Sequence, residues 1–88
     1  MRKIIYEVIV YVNDTELAKQ EARDIALDLY NMMFVEPHRV AYFRDTVSTF
    51  IADRDRAEVY LTALLVRLES AGIAVGDSRI RSLGIQGE

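Results

Sequence analysis

From Lys3 to Val12 the chain alternates. Ile4, Tyr6, Val8, Val10 and Val12 fall on one side of an extended backbone, and Ile5, Glu7, Ile9 and Tyr11 fall on the other. A period of two in β-branched and aromatic types predicts a strand. Asn13-Asp14-Thr15 then offers side-chain oxygens to cap a helix, and Glu16, three residues after Asn13, is placed to close a capping box. Beyond it Ala18, Ala22, Ile25, Leu29, Met32 and Met33 recur at steps of three and four, with Lys19, Gln20, Arg23, Asp24 and Asp28 on the remaining surface. The pattern predicts an amphipathic helix to about Met33, which Pro37 requires to have ended by Glu36.

Arg39 to Arg44 returns to an extended, aromatic-rich pattern, and Val47 to Ala52 alternates again after the polar turn Arg44-Asp45-Thr46. So short a connection predicts an antiparallel hairpin, because a parallel crossover needs a dozen or more residues. Asp53 or Asp55 is placed to cap a second helix with Ala57, Leu61, Leu64, Leu65, Leu68 and Ala71 as its core stripe, and Gly72 supplies the left-handed residue that ends it. Arg79 to Gln86 reads as a last strand in which Ile80, Leu83 and Ile85 change parity near Gly84, the mark of a bulge. The order is β-α-β-β-α-β. Right-handed crossovers then place both helices on one face of a four-stranded antiparallel sheet, the α+β, ferredoxin-like split βαβ arrangement.

Length and composition limit what such a fold can be. Eighty-eight residues make one domain, 1–88, with no room for a separate catalytic lobe. Apolar residues at 51% and charged residues at 28%, with one proline and four glycines, describe a globular chain rather than a disordered one. The absence of cysteine excludes disulfides, zinc-thiolate sites and a cysteine nucleophile, and it fits a cytoplasmic protein. The longest apolar run, Val8 to Val12, is far short of the roughly 20 residues that cross a bilayer, so no membrane partner is expected.

In this fold one sheet face lies under the helices and the other is bare. If the even residues of the first strand face the helices, Ile5, Ile9 and Tyr11 project from the bare side beside Lys3 and Glu7. Such a row predicts burial against another molecule. In the second helix Val59, Ala63 and Val66 form a second apolar stripe at i, i+4 and i+7, roughly opposite the core stripe. The two stripes together predict self-association, most simply a two-fold dimer.

Catalytic chemistry is not indicated. His38 is the lone histidine, leaving only an arrangement with Glu36 to consider, and a histidine beside a proline reads as a polar strand-entry residue. Glu21, Asp24 and Asp28 run along one side of the first helix, which reads as a solvated face paired with arginines such as Arg67 or Arg56 rather than a cation site. There is no glycine-rich phosphate loop or nucleophile elbow, so neither an enzyme nor a cofactor is expected.

Charge is unevenly distributed, because Arg2, Lys3, Arg39, Arg44, Arg79 and Arg81 come from expected strands or their ends, while the helices hold most of the carboxylates. Arg79 and Arg81 share a strand face, and the last strand pairs beside the first, which presents Tyr11. An aromatic ring beside two guanidinium groups suits base stacking and phosphate contact. Val10-Tyr11-Val12-Asn13-Asp14-Thr15 partly resembles the first-strand motif of the RNA-recognition-motif family, and that resemblance implies a stacking role for Tyr11. Asp14 and Thr15 depart from that motif, and Thr46 to Asp53 offers only Phe50 toward the family's second one. A net charge of −3 opposes nonspecific phosphate affinity, and Glu7 offers Arg79 and Arg81 a cross-strand partner instead.

The leading expectation is a small homo-oligomeric module that binds or regulates a protein through its open sheet face. Nucleic-acid binding through Tyr11, Arg79 and Arg81 is the alternative. A dimeric ligand binder or enzyme with a cavity between subunits is a further one.

Overall fold

The computed structural model describes residues 3–35 and 40–86 of the chain. The readings placed on Arg2, Glu36, Pro37, His38 and Arg39 lie outside the described residues. The elements are β1 (Lys3–Val12), α1 (Glu16–Met33), β2 (Val40–Phe43), β3 (Thr46–Ile51), α2 (Arg54–Ser70) and β4 (Val75–Gln86). All strand pairs are antiparallel and the sheet order is β2-β3-β1-β4. The parallel strands β1 and β2 are therefore split by β3, which is the ferredoxin-like topology expected from the element order.

The first helix is capped from within the expected Asn13-Asp14-Thr15 triplet, but the capping box does not form. Thr15, not Asn13, is the N-cap, its side chain accepting from the Ala18 N–H. Glu16 takes no part in a capping box and pairs with Lys19 at 3.4 Å. Asp14 is drawn off by two backbone donors, Thr15 N–H at 2.7 Å and Ala74 N–H at 2.8 Å, so it ties the start of α1 to the approach to β4. Those donors hold the Asp14 carboxyl below its ordinary value, the Ala74 contact contributing most. At the other end of α1 no basic residue occupies the last turn, and Arg56 of α2 supplies the missing charge by donating to the Met33 carbonyl at 2.8 Å with its guanidinium over the Phe34 ring.

α2 starts at Asp53, whose carboxylate accepts from Arg56 N–H. It closes as a Schellman motif: Gly72 at φ 77° donates to the Glu69 carbonyl and Ile73 to the Leu68 carbonyl, with Ile73 and Leu68 both buried.

The core lies between the helices and the sheet face carrying Val8, Val10, Val12, Val47, Thr49 and Ile51. α1 contributes Ala22, Ala26, Leu29 and Tyr30, so its buried stripe is rotated from the expected one and leaves Met32 exposed and Ile25 half-buried. α2 contributes Ala57, Tyr60, Leu64 and Leu68, with Leu61 and Leu65 half-buried and Ala71 exposed as the C-cap. Tyr60 is fully buried, and its hydroxyl lies 2.9 Å from Thr49 Oγ1 and donates to the Ala26 carbonyl at 3.1 Å, joining α2, β3 and α1 at one atom. Burial pushes that hydroxyl's pKa up to about 12.

Candidate functional site

The face of the sheet away from the helices belongs to alternate residues of every strand. Cross-strand register places Glu7 between Phe50 and Arg81, Ile9 between Ser48 and Arg79, and Tyr11 opposite Thr46. Ala41 of β2 sits opposite Ser48. The even residues of β1 do face the helices, so Ile5, Ile9 and Tyr11 are on the uncovered side as the alternation implies.

Their exposure differs from what the row suggested. Ile9 is only 5% exposed within its own chain, because Ser48 and Arg79 flank it across the sheet and Glu7 and Tyr11 lie above and below it. It forms the floor of a depression of about 380 Å³, with Tyr11, Phe50, Arg79 and Arg81 among its walls. Ile5 is half-buried, and Tyr11 is the large exposed apolar group of the three. Tyr11 and Arg79 also border a second depression of about 340 Å³ with Asp77 and Ser78.

Glu7 is 9% exposed at this face although no helix covers it. Arg81 Nη2 donates to its Oε1 at 2.6 Å. This charge-assisted bond satisfies a largely desolvated carboxylate and fixes the guanidinium against the sheet. Arg79 makes no ion pair among the described residues, so the cross-strand pairing expected of both arginines is realised by Arg81.

Two bulges shape β4. Its register to β1 slips by one residue between Ile4 and Tyr6 and again between Val10 and Val12. The first slip takes in Gly84, at φ 83°, where the change of parity places it. The second takes in Gly76 and Asp77, which the spacing of apolar residues did not reveal.

The stripe on α2 is present but lies on the opposite side of the molecule. Val59 is 59% and Val66 58% exposed, while Ala63 is half-buried against the margin of the core. Met32 of α1 is exposed, and its sulfur accepts from Arg67 Nη2 at 3.4 Å, which brings it beside the α2 stripe. The acidic row Glu21, Asp24 and Asp28 is exposed, but the expected pairing with Arg56 or Arg67 is not observed. Both arginines are engaged with the end of α1, and Asp24 instead lies 3.7 Å from Arg23. Among the described residues no three His, Cys, Asp or Glu side chains are grouped to hold a metal, and no helix is long and apolar enough to cross a membrane.

Comparisons with protein-family models, with curated proteins and with solved structures return no match.

Proposed function

We propose that this chain is a self-associating protein-binding module that works through its open sheet face. The observation carrying this reading is the depression floored by Ile9 and walled by Tyr11, Phe50, Arg79 and Arg81, on a face that none of the chain's own described elements covers. An exposed ring and a guanidinium beside a preformed hollow are the residue types that anchor protein interfaces. Sedimentation velocity over a concentration series tests it. The wild-type chain is expected above its monomer mass of 10.1 kDa, and Tyr11→Ala to weaken association more than about tenfold. A wild-type protein that stays monomeric at the highest concentration overturns self-association. An unchanged Tyr11→Ala assembly removes Tyr11 as an anchor.

A second reading, single-stranded nucleic acid on Tyr11, Arg79 and Arg81, is favoured by Arg79 and Tyr11 bordering one depression. Two features weigh against it. Arg81 is already engaged with a carboxylate at the same face. Tyr11 and Phe50 lie at register positions four residues apart on β1, roughly 13 Å, too far to hold a single base between them. Filter binding of mixed oligonucleotides at low salt decides: retention that falls steeply with salt supports this reading, and no retention at micromolar protein removes it.

A further inference from the structure

Two methionines stand side by side at the end of α1 in different surroundings. Met33 is half-buried against the core, while Met32 is 68% exposed. On α2, Arg67 shares a depression of about 350 Å³ with Ile25 and Asp28, and its guanidinium reaches one helical turn beyond Asp28 to donate to Met32 Sδ at 3.4 Å. Among the described residues Arg67 makes no ion pair, although Asp28 lines the same depression. A thioether is a weak acceptor, so a charged donor that bridges the two helices is poorly matched at its far end.

Oxygen on that sulfur corrects the mismatch. A peroxide supplies it in one step: a sulfur lone pair attacks one peroxide oxygen, the S–O bond forms as the O–O bond breaks, and the departing hydroxide takes the proton of the transferred oxygen to leave as water. Sulfur loses an electron pair and the peroxide gains it. The product carries a polar oxygen where a weak acceptor stood, beside a cation already in place.

We propose that Met32 is a reversible oxidation site whose sulfoxide is held by the Arg67 guanidinium across the junction of α1 and α2. Oxidation of a core methionine loosens packing by making an apolar side chain polar. At Met32 the new oxygen lies outside the core and fastens the helix layer, and its exposure leaves it open to the reductases that restore the thioether.

Limiting hydrogen peroxide on the folded chain, followed by fragmentation mass spectrometry of the peptide carrying both methionines, tests the site. Met32 is expected to gain oxygen at least about tenfold faster than Met33, and equal rates overturn the proposal. Exposure alone gives that order, so the Arg67 contact has its own readout. Chains with Arg67 and with Arg67→Ala, both carrying Met33→Leu, are compared by urea denaturation before and after oxidation. The midpoint is expected to hold or rise on oxidation where Arg67 is present and to fall where it is absent. Oxidation elsewhere, Met1 included, is common to both arms. Falls of equal size overturn the proposal. Circular dichroism establishes that each chain is folded, and Arg67→Gln replaces Arg67→Ala if it is not. Methionine sulfoxide reductase is expected to return the oxidised, folded chain to its starting mass, and a Met32 sulfoxide that resists it overturns reversibility.

Discussion

Tyr60 is the residue on which the interior converges, through one hydroxyl shared between Thr49 and the Ala26 carbonyl. Its spacing from Ala57 and Leu64 is helical, yet the stripe read from the sequence ran through Leu61, because a phenol is ambiguous between surface and core until a partner for its oxygen is known. Tyr60→Phe is expected to destabilise the protein by about 1–3 kcal/mol, since it leaves Thr49 without that partner in the core; urea denaturation measures it. The raised pKa adds a sign. The hydroxyl is held protonated in the folded state, so its contribution is complete below the unfolded value near 10 and is lost as pH rises toward about 12. That loss amounts to about 3 kcal/mol in all at the usual conversion. The fall in stability between pH 9 and 12 should accordingly be shallower in Tyr60→Phe, and equal slopes would sink this account. Asp14 behaves oppositely: its lowered value stabilises the fold above the ordinary carboxylate range, and that contribution disappears as pH falls through the depressed value. Replacement by Asn should flatten the acid limb of the stability profile.

Helix and strand ends carry the next set of consequences. Gly72 and Gly76 stand four residues apart, but only Gly72 has positive φ, and an added methyl there meets no atom within 4 Å. Gly72→Ala should therefore cost about 1 kcal/mol through backbone strain alone. At Gly76 the new Cβ would lie 3.6 Å from Tyr11 Cβ, an ordinary contact, so Gly76→Ala should change stability by less than about 0.5 kcal/mol. Thermal denaturation of the two variants side by side checks the contrast. Elements of this kind were legible in the sequence because their determinants are local: alternation in β1, the helical periods, and Gly72 after the second helix. The rotation of the α1 stripe was not, because Ala26 and Tyr30 face the core only once Tyr60 arrives from α2 to pack edge-on against Tyr30.

The topology of the whole molecule followed from connection lengths and crossover handedness, which are properties of the chain, whereas the character of the open face depends on lateral register. Alternation alone puts Ile9 on the bare side. Only the pairing that sets Ser48 and Arg79 beside it makes it a buried floor, and only the Glu7 to Arg81 pairing makes a carboxylate tolerable nearby. Arg81→Ala is expected to cost about 1–3 kcal/mol by leaving Glu7 desolvated and unmatched, and the double variant Glu7→Leu, Arg81→Leu to recover most of it. A double-mutant cycle under urea reads the coupling, and additive losses would exclude it.

The two kinks in β4 bear on what this protein must avoid. β4 is an outer strand, and such strands invite neighbours to zip alongside them into extended sheets. Interrupting the ladder near Gly76 and again near Gly84 leaves a short straight stretch between them, studded with the guanidinium groups of residues 79 and 81. Sideways growth is thereby discouraged, and the sheet stops at its fourth strand instead of presenting a long straight backbone margin to passing chains.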